Sequence, residues 1–147
     1  MSVIVTDAGF ADDDFTGDHT PFEDFLIQRE GAPGSDDTGA ATALDLPSTT
    51  DLEPLKGQLA GITMIRVDFP SFADGRGFTL ARRLRMMGYE GRLRARGHVI
   101  ADQYDMARRT GFDEVEISAD LATRQPEEQW KFRVHSYTND YQSRFRA

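Results

Sequence analysis

The 147-residue chain has no cysteine. That excludes disulfides, thiolate nucleophiles, cysteine-held iron–sulfur clusters and cysteine zinc sites within it. Any redox role must then rest on a bound organic cofactor or on a partner. The chain also lacks an apolar run near the ~20 residues that a membrane helix needs. It has no basic N-terminal stretch leading into an apolar one, as a secretory signal would. No membrane association and a cytoplasmic location are therefore expected. Lysine is scarce, with two against fifteen arginines. Arginine suits bidentate recognition of anions and, equally, surface ion pairing. The three histidines, His19, His98 and His135, show no metal-ligand spacing. There is no P-loop, nucleophile elbow or Ser-His-Asp arrangement, so no metal site is expected and no catalytic group is assigned.

What is present suits a globular α/β protein. The composition is 39% hydrophobic with ten phenylalanines, enough for the core of one ordinary domain. The net charge of −8 conceals an asymmetry. Residues 1–60 carry 13 acids against Arg29 and Lys56, whereas residues 61–147 carry 12 acids against 15 bases, a net of +3. An acidic flank on a weakly basic domain argues against nucleic-acid binding, which needs a clear positive excess.

Ser2–Thr6 reads as a β-branched strand, followed by a polar, acidic stretch to Thr20. Phe22–Ile27 reads as a second short strand, and Gly31–Gly39 has the composition of a linker. Ala43–Leu46 is expected to be extended. Leu52, Leu55 and Leu59 recur at helical spacing behind Ser48–Asp51, with Pro54 in the first turn. From Gly61 a regular rhythm sets in: strand Ile62–Phe69, helix Gly75–Met87, strand Arg92–Ile100, a helix capped by Asp102, and strand Glu114–Ile117. This predicts a parallel βαβαβ core over 61–147, with an aromatic C-terminal tail, behind a short acidic β/helix extension over 1–60.

Three features offer chemistry. The turn Asp74-Gly75-Arg76-Gly77 falls between a strand and a helix, where open parallel sheets bind ligands and helix N-termini receive anions. The same residues also suit a helix cap and a tight turn. On the next strand Arg92, Arg94, Arg96 and His98 share one face, either solvated or lining a groove, with Glu114 and Glu116 as surface-pair partners. Finally, Asp12, Asp14, Thr16, Gly17, Asp18 and Glu23 occupy calcium-loop positions of the EF-hand template. The flanking strand-like SVIVT and Pro21 favour a solvated acidic loop there. Trp130 and the tail aromatics read as core or interface residues.

The blocks FPSFADGRGFTLARRLR, YEGRLRARGHVIADQ and GFDEVEI, in that order and spacing, resemble the bacterial domain-of-unknown-function family 934. The resemblance spans Ile62–Ile117 closely, with Asp51–Gly61 and Tyr141-Gln142 more loosely similar. It implies hallmark positions at Asp74, Gly75, Arg76 and Gly77, then Leu93, Arg94, Ala95, Gly97, Asp102 and Gln103, then Gly111, Phe112 and Asp113. Family members usually carry an acid after that second-block glycine, where this chain has His98. Members often bear an oxidoreductase label, and their genes neighbour those of assimilatory sulfite reductase. The resemblance thus implies a role in sulfur assimilation, and the lack of cysteine and of a full dinucleotide fingerprint favours an accessory or partner protein in assimilatory sulfate/sulfite reduction, docking on sulfite reductase or another sulfur-assimilation protein. Asp74, Gly75, Arg76, Gly77, Arg94, Arg96, Asp102 and Gln103 are the candidate ligand- or partner-binding residues. Two alternatives stand beside it. One is a small enzyme acting on a sulfated or phosphorylated metabolite, with Arg76 and Arg94 in one pocket and Asp74 or Asp102 as acid/base; the other is a flavin-binding oxidoreductase.

Overall fold

A computed structural model describes residues 2–15, 17–31 and 42–133. Its strands are β1 (Ser2–Thr6), β2 (Gly9–Ala11), β3 (Asp18–Pro21), β4 (Thr42–Leu46), β5 (Met64–Phe69), β6 (Arg92–Gly97) and β7 (Glu114–Ser118). The helices are α1 (Phe22–Gly31), α2 (Arg76–Met86), α3 (Tyr104–Thr110) and α4 (Ala119–Arg124). A helical segment over 127–133 follows. All seven strands form one sheet in the order β2-β1-β7-β6-β5-β4-β3. From β3 to β7 neighbours are parallel, while β1 pairs antiparallel with both β7 and β2. The expected βαβαβ unit is thus β5-α2-β6-α3-β7, set in a larger sheet.

Every parallel crossover steps in the same direction across this sheet. Because such crossovers are right-handed, they all fall on one face. The side chains of that face are apolar: Leu44, Ile65 and Leu93 in one row, and Leu46, Val67, Ala95, Val115 and Val5 in another. They pack beneath Leu80, Ala81 and Leu84 of α2 and Tyr104 and Ala107 of α3. Trp130 is fully buried against Tyr104, with its indole N–H donated to the Gln125 carbonyl at 3.0 Å. It is a core residue, as expected.

The opposite face is charged, and chain connectivity shows that it is concave. Strands β2 and β3 lie at opposite edges, six strand spacings apart. In a flat sheet that is roughly 29 Å at about 4.8 Å per spacing. The chain passes from Ala11 to Asp18 in seven steps, a reach of no more than about 25 Å. The sheet must therefore curl towards the connecting segment, which straps its charged side. Asp13 and Asp14 of the strap bond Arg94 and Arg92 on that face.

Several sequence expectations change. The first 60 residues supply four of the seven strands, so the acidic extension is part of the sheet. Phe22–Ile27 is helical rather than extended: Phe25 enters the core with Phe22 and Leu26 packed beside it, a helical pattern, and Asp18–Pro21 forms the strand. The expected helix after Ser48 shrinks to one 3-10 turn at Glu53–Leu55. Pro54 lies within that turn, Gly57 and Gly61 adopt positive φ (74° and 88°), and Leu52 and Leu55 are buried through turns. Residues 32–39 of the expected linker and the tail from 134 onward, with His135, Tyr137, Tyr141 and Phe145, lie outside the described residues.

Candidate functional site

Seven of the eight candidate residues fall in two places. The first is the loop cluster at the carboxyl ends of β5 and β6. There Asp74 Oδ1 accepts the Arg76 backbone N–H at 3.1 Å and Arg76 Nε at 2.9 Å. Asp74 Oδ2 accepts Arg76 Nη2 at 2.7 Å and the Ser48 hydroxyl at 3.0 Å. The Arg76 guanidinium and backbone bonds hold the Asp74 carboxyl well below the usual carboxylate range. Arg76 itself remains 60% exposed. Gly75 is the N-cap of α2, and Gly77 lets the helix approach the sheet, since a Cβ there would lie 2.5 Å from the Phe69 ring. The turn thus combines a local ion pair with close helix–strand packing.

Gln103 joins the same cluster. Its side chain accepts the Ile100 N–H at 3.1 Å and donates to the Phe72 carbonyl at 2.8 Å, bracing the loop before α2 against the loop before α3. Phe72, held by that brace, is 61% exposed. Asp102 does not enter the turn; it pairs with Arg133 at 2.8 Å on the outer surface.

Arg94 and Arg96 stand elsewhere, on the concave face. Asp45, Arg66, Arg94 and Glu114 are register partners on four adjacent strands, and Asp68, Arg96, Glu116 and Ile4 form a second such row. Arg94 is fully buried and donates to Glu114 Oε2 (2.6 Å), Glu116 Oε1 (2.8 Å) and both oxygens of Asp13 (3.0 and 3.1 Å). Arg66 grips Asp45 through two nitrogens (2.9 and 2.7 Å) and reaches Glu116 at 3.1 Å. Arg92 binds Glu114 and, at 2.6 Å, Asp14.

This corrects the picture of surface pairs. The Glu114 and Glu116 residues are each 6% exposed, and the strap covers the row. The acidic loop is exposed at Asp12, Asp13 and Asp14, and two of its carboxylates, Asp13 and Asp14, serve in addition as counter-ions to arginines. Among the described residues, no group of three or more His, Asp or Glu is arranged to hold a metal. Nor is any described helix long and apolar enough to cross a membrane.

The grooves at the carboxyl ends of the strands contain Arg96 but neither Arg76 nor Arg94. One, of about 720 Å³, runs between the start of α1, the loop after β4 and the side chains of Asp45, Arg66, Asp68 and Arg96. The other, of about 530 Å³, is bounded by Asp68, Arg96, His98 and Glu116. Asp68 and Arg96 are common to both. Arg66 and Asp68 escaped the sequence reading although they alternate with Ile65 and Val67. That period-two interruption of an apolar strand was the available signal.

His19 closes the far end of the network. Its Nδ1 is buried without a hydrogen bond, 3.5 Å from Asp45 Oδ1, and its ring packs on Phe15 of the strap. Burial and the nearby charges of Arg66 and Arg94 lower its pKa, outweighing the opposing effects of Asp45 and Glu116. The unfolded chain therefore binds a proton that folded His19 resists. Stability should fall as pH drops below the ordinary histidine value of 6.5, and the loss should be complete below the folded pKa. Urea midpoints at about pH 7.5 and 5.5 test this: His19→Gln should flatten the dependence, and an unchanged slope would contradict it.

No curated protein matches the chain. The model of a bacterial protein family of unknown function, DUF934, matches residues 43–147. That range contains the turn, Gln103 and every arginine of the concave face, whereas the strap carboxylates and His19 precede it. The chain belongs to the DUF934 family.

Proposed function

We propose that the chain is an accessory protein of assimilatory sulfate or sulfite reduction that acts by docking on a partner, sulfite reductase being the leading one. The metabolic setting rests on the family resemblance. The observation that carries the docking mode is the state of Arg76. Asp74 fixes its guanidinium through two nitrogens, yet the side chain remains 60% exposed, in the same loop as the exposed Phe72. A preorganised, exposed arginine on a loop that also exposes an aromatic residue offers the residue types that anchor protein interfaces. It would receive a carboxylate of the partner on the guanidinium edge left open by Asp74.

The alternative of an enzyme acting on a sulfated or phosphorylated metabolite needs Arg76 and Arg94 in one pocket. They instead occupy the start of α2 and the buried centre of the concave face. A flavin-dependent oxidoreductase is distinguished by the absorption spectrum of the purified protein, since flavin bands would favour it. The docking reading is tested by capturing purified sulfite reductase on the immobilised chain and by assaying sulfite reduction in a deletion strain. Retention and impaired reduction are expected. No retention together with normal reduction would overturn the proposal.

A further inference from the structure

The concave face pairs most of its charges thoroughly, and the exceptions sit together. Arg66, Arg92 and Arg94 each bond at least two carboxylates. Arg96 has one looser contact, Nε to Glu116 Oε2 at 3.3 Å, and is 48% exposed. Asp68, half-buried, has no hydrogen bond or ion pair among the described residues. The two are register partners on β5 and β6, so their side chains leave the sheet side by side. They nevertheless do not pair with each other. Both line the two grooves where these meet.

From these observations we infer that the mouth of the concave face binds a small zwitterion of the α-amino-acid class, its carboxylate on Arg96 and its ammonium on Asp68. The spacing suits this, because neighbouring strands lie about 4.8 Å apart and both ligand charges project from a single carbon. The surrounding charge suits it too. The larger groove contains Glu23, Asp24, Asp45, Asp51 and Asp68 against Arg66 and Arg96, a balance that repels sulfate and phosphate esters. Phe22, Leu26, Leu46 and Pro47 supply an apolar wall for an uncharged remainder, and about 720 Å³ is ample for a ligand of this size. The site is separate from the Asp74–Gly77 turn, so either assignment can fail without the other.

The test is calorimetric titration of the full chain with each protein amino acid, and with sulfate, phosphate and spermidine as controls. At least one amino acid should bind. Its decarboxylated amine and its deaminated acid should each bind at least about tenfold more weakly, as loss of a charge-assisted hydrogen bond implies. Asp68→Asn and Arg96→Gln should each cause a similar loss while leaving thermal unfolding unchanged. Three results would overturn the inference: no binding by any amino acid, preferential binding of a control ion, or binding indifferent to both substitutions.

Discussion

Replacing Arg94 with alanine is expected to destabilise the protein by about 3–5 kcal/mol, the scale for removing one partner from a buried ion network. The residue is fully buried and bonds three carboxylates, Asp13, Glu114 and Glu116, of which the two glutamates also meet Arg92 or Arg66. Alanine would remove the one cation shared by all three, leaving Arg92 and Arg66 to offset two glutamates that are each 6% exposed. Arg94→Lys should recover only part of the loss, because an ammonium cannot reproduce the bonds that Nε and both terminal nitrogens make. By contrast, Arg96→Ala, two residues along the same strand and 48% exposed, should shift stability by no more than about 0.5 kcal/mol. Urea denaturation of the three variants measures these differences. Equal small effects for Arg94→Ala and Arg96→Ala would mean that the strap and its carboxylates do not seal the face.

Acid sharpens the same test. Bonds from Arg94 hold the Asp13 carboxyl below its ordinary value of 3.8. The associated stability is present above that value and is lost as pH falls through the lower folded pKa. The gap between wild type and Arg94→Ala should therefore narrow in strong acid.

Gly97→Ala carries the second large effect, on the order of 3 kcal/mol from backbone strain of ~1–3 and overpacking of ~1–3 kcal/mol. Gly97 has φ +116°, and a Cβ there would lie 2.6 Å from the Phe69 carbonyl oxygen. That oxygen accepts the His98 N–H at 2.9 Å, so β5 and β6 cannot separate without breaking the bond. Gly77→Ala meets the Phe69 ring instead of a backbone oxygen and, unlike Gly97, does not sit at positive φ, so it should be milder. Gly97→Ala should also disturb the groove, because Arg96 and His98 flank it. A melting temperature within a degree or so of wild type would contradict the strain argument.

The strands and helices from β5 to β7 were legible because their periods are regular and their ends carry recognisable stops, such as Gly88 and Gly111, both at positive φ. The leucines at 52, 55 and 59 misled because helical spacing also arises where successive turns dip into a core. Phe22–Ile27 misled because a short aromatic run fits either period until its neighbours are known. At the candidate site, the arginine face of β6 was visible, but its burial was not. The carboxylate that seals Arg94 comes from Asp13, 81 residues earlier in the chain, a separation no local pattern encodes. The turn at Asp74 was visible both as an anion candidate and as a cap. Its carboxylate bonds the first N–H of α2 from one residue before the N-cap Gly75, with Arg76 left as an exposed contact.

The docking role of that contact is the central claim, and titration of purified sulfite reductase with wild-type chain and with Arg76→Ala tests it most directly. The wild type should bind, and the variant should bind about tenfold or more weakly while melting as the wild type does. Equal affinities for the two, or no binding by either, would contradict the account.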